Sequence, residues 1–393
     1  KVSEITYEFI EKIFSIKNEN WHKTITLFGL EFSFFSNKLA NNLLIKSLNK
    51  CEIEIKQLKQ EIEDLKKADS RSDYIHNKRF EQWLRTYRWL EFHNKVINKL
   101  IDFNNDEELK KAQIEYTSGH IHKNGYDMNI DNPKTLNEKV QWMSLNYYNN
   151  SEEIHRIVDK HSFKKYIAEK LGDGYTIPLL ACWDNVDDIN FEELPQQFVL
   201  KSNWGGDGRQ VKIIQDKNNI DIEELKHQMK KWLSFDGNPY FYAFNGPSKG
   251  LKPCIIAEEY MPIRENEALE YKMFCFNGKL GFCLVEVDYF GGNPHRAYYD
   301  KDFNELDYKI GGIPVKHLDH KPETYDKMVE IAEFLAKDFP FVRVDFYDVA
   351  GRIYVGEMTF TSGGGFSNFE PVEIDYKLGE MLDITELQKV HNE

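Results

Sequence analysis

Two acids, an arginine and a run of glycines close to one another have the types and spacing that phosphoryl chemistry needs. They lie in VRVDFYDVAGRIYVGEMTFTSGGGF, residues 342–366. Val342, Val344 and Phe346 alternate with Arg343 and Asp345, Asp348-Val349-Ala350-Gly351 turns the chain, and Ile353, Val355 and Met358 carry a return strand. That pattern predicts a β-hairpin. Alternation puts Arg343 and Asp345 on one face, and Glu357 and Thr359 share a face in the same way. Two antiparallel strands that each present an acid make an oxygen-rich pocket, which suits a hard cation such as Mg²⁺. An arginine beside the first acid suits a metal that also carries phosphate, because a guanidinium pairs with phosphate oxygens through a rigid fork. Thr361-Ser362-Gly363-Gly364-Gly365 then offers backbone N–H groups that can cradle an anion. An acidic hairpin with a flexible turn fits the same stretch.

Cationic partners lie upstream. Gln197-Phe198-Val199-Leu200-Lys201 reads as a buried strand ending in a lysine, followed by SNWGGDGRQ and a second strand through Val211 and Ile213. Such a hairpin can fold its glycines over phosphates while Lys201 places an ammonium beside them. The spacing is not G-x-x-x-x-G-K-[ST] and no helix follows directly, which argues against a Walker-type loop. Cys254-Ile255-Ile256-Ala257-Glu258-Glu259-Tyr260-Met261-Pro262 is a strand running into an acidic hinge that can offer backbone groups to a purine edge. In the alternating stretch 269–276, Glu270 and Lys272 share a face, and a carboxylate there can accept ribose hydroxyls.

The elements that must position these groups follow from periodicity. Asn132-Pro133 precedes a capped helix through Trp142. Asp159-Lys160 opens a helix through Phe163, Tyr166 and Leu171 that ends at Gly172-Asp173-Gly174, and Ile177-Pro178-Leu179-Leu180 is a strand. Strands continue through 280–287 and 296–299, and residues 323–339 form an amphipathic helix leading into the hairpin.

Nearer the start, residues 1–17 read as a short amphipathic helix on Ile5, Phe9, Ile13 and Ile16, and residues 22–32 as a strand-turn-strand unit. From Leu44 the positions Leu48, Cys51, Ile55, Leu58, Ile62 and Leu65 alternate four- and three-residue steps, a heptad pattern. A second amphipathic helix runs from Phe80 to Leu100. The pair is either an internal helical hairpin or a short coiled coil joining two copies of the chain.

At 393 residues with a formal charge of −14, the chain is long enough for two or three domains and too acidic for a nucleic-acid partner. Its five cysteines are scattered with no C-x-x-C pair, the usage of a reduced, cytoplasmic protein. No apolar run is long enough to span a bilayer and no signal peptide is present. A chain that begins at Lys1 without methionine reads as a fragment of a longer protein, with an additional domain upstream. FSIKNENWHKTITLFGLEF also resembles connectors at the edges of glycosyltransferase domains in bacterial surface-polysaccharide proteins.

The order of parts resembles the ATP-grasp superfamily: Lys160 opening a helix, Lys201 before a glycine loop, the hinge at Glu258-Glu259-Tyr260-Met261, and the acids Asp345 and Glu357. Within it the chain looks like the TupA-like branch, linked to teichuronopeptide and other bacterial surface polysaccharides. The matching segments are PKTLNEKVQWMSLNYYN, VDKHSFKKYIAEKLGDGYTIPLL, LPQQFVLKSNWGGDGRQVKI, EYKMFCFNGK and FVRVDFYDVAGRIYVGEMTF. The resemblance implies an α+β fold of two subdomains gripping ATP, preceded by the helical hairpin. It divides the chain into a linker (1–40), the hairpin (41–110), an N-terminal part (111–195), an ATP-binding subdomain (196–262) and a metal-bearing C-terminal subdomain (263–393).

Carried over by position, Lys160 and Lys201 bind the phosphates of ATP under Gly205, Gly206 and Gly208. The backbone of Glu259 and Met261 meets adenine and Glu270 meets ribose, with Glu258 and Lys272 in the same nucleotide-binding set. Asp345 and Glu357 hold Mg²⁺. Thr359 stands where many relatives have an asparagine ligand, which implies a weaker or water-mediated contact. Arg343 and Lys201 act on the transferring phosphate. The implied reaction is ATP-dependent ligation of a carboxylate to an amine through an acyl phosphate, with a uronic acid (sugar nucleotide or polymer) and a small amine as substrates in capsule biosynthesis. A glycosyltransferase, a phosphotransferase and a non-catalytic scaffold are the rival readings.

Overall fold

The computed structural model describes residues 14–19, 22–27, 30–35, 106–121, 124, 126–205, 210–233, 246–248, 250–261, 270–287 and 294–392. The chain divides into two units, 1–102 and 103–393. In the first, β1 (Phe14–Glu19), β2 (His22–Leu27) and β3 (Leu30–Phe35) form an antiparallel meander. The strand-turn-strand unit is therefore present, and it is longer than expected. The helix expected over 1–17 is overturned where the structure describes it, because residues 14–17 belong to β1. Phe14 and Ile16 also fit a period of two, and pairing of β1 with β2 in register from Phe14↔Leu27 to Glu19↔His22 decides between the two periods. The heptad stretch, the second amphipathic helix and so the proposed dimer contact lie outside the described residues.

The second unit opens with α1 (Asp106–Ile121) and α2 (Leu136–Asn146). A capping box starts α2: Thr135 Oγ1 accepts from Glu138 N at 3.1 Å, and Thr135 N donates back to Glu138 Oε2 at 2.9 Å. The Glu138 carboxylate also accepts from the N–H groups of Asn129 and Lys134, which pins the incoming turn. Then come α3 (Glu152–Val158) and α4 (Lys160–Leu171). Asp159 caps α4 by accepting from His161 N, and Gly172, at φ 88°, ends it as the sequence predicts.

Strands β4 (Leu179–Trp183), β5 (Phe198–Ser202) and β6 (Val211–Ile214), the helix α5 (Ile222–Leu233) and the strand β7 (Ile255–Glu259) follow. The strands form an antiparallel sheet in the order β4-β7-β5-β6. The first of them begins at Leu179 rather than Ile177, since Pro178 has no N–H to give a ladder; its carbonyl accepts from Glu259 N instead. One face of this sheet packs Phe198, Leu200, Ile214 and Ala257 against Leu225, Met229 and Trp232 of α5.

Strands β8 (Glu270–Phe276), β9 (Lys279–Val287) and β10 (His295–Tyr299), the short β11 (Lys309–Ile310), the helix α6 (Tyr325–Ala336) and the hairpin strands β12 (Phe341–Val349) and β13 (Arg352–Thr359) complete the second half. Five of these strands form an antiparallel sheet, β10-β9-β8-β12-β13. Its apolar face (Met273, Cys275, Cys283, Val342, Val344 and Phe346) belongs to one core with Met328, Ile331 and Leu335 of α6. After the glycine loop, β14 (Phe369–Glu370) pairs with β11, and α7 (Glu373–Met381) and α8 (Thr385–Asn392) close the described chain. Mixed helices and antiparallel sheets agree with the α+β expectation. No helix among the described residues is long and apolar enough to cross a membrane.

Candidate active site

The hairpin forms as its alternation predicts, with one local surprise. Ala350 (φ 53°) and Gly351 (φ 84°) make the two-residue turn, both left-handed as such tight turns require. Arg343 pairs with Thr359, Val344 with Met358 and Asp345 with Glu357. The register then slips, so that Phe346 pairs with Val355 and Gly356 is the extra residue of a β-bulge. A Cβ on Gly356 would come within 2.5 Å of the Tyr347 ring, so glycine is what lets the strand bulge there. Without the bulge, Glu357 would fall on the face of Val355 and Ile353. The bulge turns it to face Asp345.

The polar face of the five-stranded sheet carries alternating charges across its width. Arg296 on β10 meets Glu286 on β9 at 2.8 Å, and Glu286 meets Lys272 on β8 at 2.8 Å. Lys272 also meets Glu270 at 3.1 Å, and its register partner on β12 is Asp345. The Arg343 Nε and Nη2 atoms grip the two Asp345 oxygens at 2.6 Å each, and its Nη1 donates to Ser362 Oγ at 2.9 Å. Thr359 Oγ1 donates to Glu357 Oε1 at 2.6 Å, while Glu357 Oε2 faces Lys160 Nζ at 3.5 Å. Burial alone would raise the Glu357 carboxyl; Lys160, Arg343 and the Thr359 hydroxyl outweigh it and hold it at about 2. Burial wins at Glu270, which is pushed up to about 7.

The four-stranded sheet contributes a second cluster. Directly opposed residues share a face, so Val199, Lys201, Val211, Ile213, Ile256 and Glu258 lie on the side away from α5. Glu258 is a buried carboxylate held between Lys164 at 2.5 Å and Lys201 at 2.6 Å. Burial opposes its ionisation, but the two ammonium groups prevail and its carboxyl stays below the ordinary value. Beside this cluster Val211 and Ile213 are 38% and 42% exposed. A nucleobase would cover such an apolar surface, with the ammonium groups alongside for phosphate.

Lys160 joins the two clusters. From the first turn of α4 its Nζ donates to Gly205 O at 2.7 Å, at the mouth of the glycine loop, and reaches Glu357 at 3.5 Å. Asn203 fixes the helix start by accepting Lys160 N–H on its carbonyl at 2.9 Å and donating its Nδ2 to Asp159 at 3.0 Å.

Of the residues singled out from the sequence, Lys160, Lys201, Gly205, Glu258, Arg343, Asp345, Glu357, Thr359, Glu270 and Lys272 fall into these two linked clusters. Gly206 and Gly208 lie outside the described residues. Three details were not foreseen: Glu258 is held between two lysines, the Glu259 N–H is committed to Pro178 O, and the Thr359 hydroxyl donates to Glu357. Lys164, Ser362 and Asn203 were missed. Lys164 stands four residues after Lys160 on the same helix, a spacing that puts both on one face and was the available signal. Ser362 and Asn203 carry no sequence signal beyond adjacency to glycines.

Among the described residues no group of three or more His, Cys, Asp or Glu side chains gathers as a self-sufficient metal site. Two opposed carboxylates are nonetheless the donor set that suits Mg²⁺, which keeps waters and takes its remaining ligands from substrate phosphates. Asp345 and Glu357 fit that use, with cations at hand to accept the phosphate charge.

A family described as TupA-like ATPgrasp matches residues 138–383. No curated protein matches the chain significantly. Among solved structures, the chain is similar to D-alanine–D-alanine ligase from Bacillus anthracis at 19% identity, over 60% of this chain and 68% of that one, with a TM-score of 0.35. It is similar to an ATP-grasp RimK domain protein from Sphaerobacter thermophilus at 10% identity, over 58% and 67%, with a TM-score of 0.33. D-alanyl-alanine synthetase A from Vibrio cholerae matches at 12% identity, over 61% and 66%, with a TM-score of 0.34. Overlays this loose carry no assignment of their own, and the family match rests on the sequence.

Proposed function

The chain belongs to the TupA-like ATP-grasp family, and we propose that it is a ligase that activates a carboxylate with ATP and passes the acyl group to an amine. The observation that carries this reading is Lys160, whose ammonium lies between the carbonyl of Gly205 and the carboxylate of Glu357. One cation thereby links the sheet suited to hold a nucleotide with the hairpin suited to hold its metal.

In this reading the apolar surface at Val211 and Ile213 takes the base, the Glu259 carbonyl and Met261 backbone meet its edge, and Glu270 meets ribose. Lys160 and Lys201 neutralise phosphate oxygens. Asp345 and Glu357, with Thr359 bracing the latter, hold Mg²⁺, which when bound draws off charge from the phosphates. A carboxylate oxygen of the substrate attacks the γ-phosphorus and ADP departs. The amine nitrogen then attacks the acyl carbon, phosphate leaves with the C–O electron pair, and the nitrogen gives up a proton. Arg343, held in place by Asp345 and Ser362, is aimed at the charge that develops on the transferring group. From the family's polysaccharide context, we assign a uronic acid as carboxylate donor and a small amine as acceptor, with the reaction in the cytoplasm. The same reading divides the chain at 111–195, 196–262 and 263–393.

Hydroxylamine trapping tests the reaction. With ATP, Mg²⁺ and a panel of uronic acids, the ligase reading expects a hydroxamate and one ADP for each turnover. A stable phosphoester with no hydroxamate would replace the ligase with a phosphotransferase.

A further inference from the structure

The loop Ser362–Gly365 after the second acid has two backbone bonds of its own, from Gly364 N–H to Thr361 O at 2.8 Å and from Phe366 N–H to Gly363 O at 3.2 Å. Gly363, Gly364 and Gly365 run in succession at φ 58°, 68° and 71°. Left-handed glycines have the most conformational freedom to lose on ordering. Further restraint comes from α2, far away in sequence. Gln141 Nε2 donates to Gly364 O at 2.6 Å and to Gly365 O at 3.3 Å. A Cβ at Gly365 would collide with that same amide, so the glycine permits the approach. One turn earlier Asn137 exchanges two bonds with Ser367, its Nδ2 donating to the carbonyl at 2.9 Å and its Oδ1 accepting the N–H at 3.0 Å. Both amide side chains are 2% exposed. The loop they hold supplies Ser362, whose hydroxyl takes the Nη1 arm of Arg343.

We propose that Gln141 is a positioning residue for the reaction, setting the glycine loop and, through Ser362, the direction of the Arg343 guanidinium. The proposal rests on the ligase reading. A side chain that fixes donors before the substrate arrives removes reorganisation from the reacting step. Its loss therefore falls on kcat and leaves the nucleotide, which Gln141 does not touch, bound as before.

The test compares Gln141→Leu and Gln141→Glu with wild type by backbone hydrogen exchange over residues 360–368 and by hydroxamate formation from ATP and a panel of uronic acids. Gln141→Leu keeps the volume and removes the donor. It should speed exchange of the loop at least tenfold and lower kcat roughly 10- to 100-fold, with the KM for ATP within twofold. Ionised Gln141→Glu faces two carbonyls with no proton to give, and should show the same deficit at pH 8. As the pH falls the carboxyl protonates and donates again, so its deficit relative to wild type should shrink while that of the leucine variant stays constant. Unchanged loop exchange in both variants, or equal deficits at every pH, would overturn the positioning role. A wild-type enzyme that forms no hydroxamate with any carboxylate counts against the ligase reading alone, and the loop-exchange comparison still decides what Gln141 does.

Discussion

Arg343 holds both oxygens of Asp345, each at 2.6 Å, although the two residues are neighbours on a single strand. Side chains two apart share a face but usually splay. Here Ser362 fixes the third nitrogen of the guanidinium and folds it back over the acid. The arginine thus occupies the acid, and in the proposed reaction a metal would compete for Asp345 and phosphate for Arg343.

Replacing Arg343 should therefore strike the chemical step. Arg343→Met keeps the length and apolar stem and removes the fork. We expect kcat for ATP-dependent ligation to fall by roughly 10²- to 10³-fold, the range seen when a donor to developing charge is removed. The dissociation constant for ATP, measured by calorimetry in the presence of Mg²⁺, should change by less than about fivefold. A loss of ATP binding as large as the loss of rate would mean that the arginine serves the ground state instead.

Glu357→Gln separates the metal assignment from the fold. The substitution keeps volume and the bond from Thr359, but Lys160 loses its acidic neighbour and the bulged strand loses its charge. Turnover should drop by about 10²-fold or more and should not recover at saturating Mg²⁺. Circular dichroism should stay as in the wild type. Near wild-type turnover would remove Glu357 from the metal site.

Glu258→Gln tests the second cluster through stability. Two ammonium groups, Lys164 and Lys201, share that carboxylate inside the protein. Taking away its charge leaves both cations facing each other, and breaking a buried pair costs about 3 kcal/mol. Burial already depresses Lys164 below its ordinary value, and the change should lower it further. Thermal unfolding should show a Tm lower by roughly 6 °C, and added Mg²⁺ and ATP should restore part of it as phosphate replaces the missing charge.

How far the site could be read from the sequence depended on the range of each contact. Arg343, Asp345, Glu357 and Thr359 were legible because strand alternation fixes faces over two residues. The bulge at Gly356 was not, although the shift from odd-numbered Val355 to even-numbered Met358 in the apolar set was its trace. Lys160 and Lys201 could be named as cations but not paired, since Lys160–Glu357 and Lys201–Glu258 join residues far apart in the chain. Gln141 and Asn137 read as ordinary polar positions of a capped helix, because an amide side chain shows its purpose only once its partner carbonyl is in place. The helix expected at residues 14–17 went wrong where periods of two and 3.6 both fitted a few apolar residues and pairing with the next strand decided.

Asp375 gives a prediction in pH that leaves the reacting groups aside. It is fully buried on α7, accepting from Tyr126 OH at 2.6 Å, Asn137 Nδ2 at 2.6 Å and Asn137 N at 3.1 Å. Burial pushes its carboxyl up to about 6, although each of those three bonds works in the opposite direction. A folded-state value above the unfolded one means that the native protein binds the proton more tightly. The stability this group contributes is then complete below about pH 4 and is lost as the pH rises through about 6. Asp375→Asn removes the titration while keeping one acceptor oxygen for Tyr126 or Asn137. Urea unfolding of both proteins from pH 4 to pH 7.5 isolates the effect as the difference between them. The wild type should lose stability relative to Asp375→Asn across that window, by up to about 3 kcal/mol for a shift of two pH units, with most of the change between pH 4 and 6. A constant difference would mean that the Asp375 carboxyl is ionised throughout and that its three hydrogen bonds, not burial, control it.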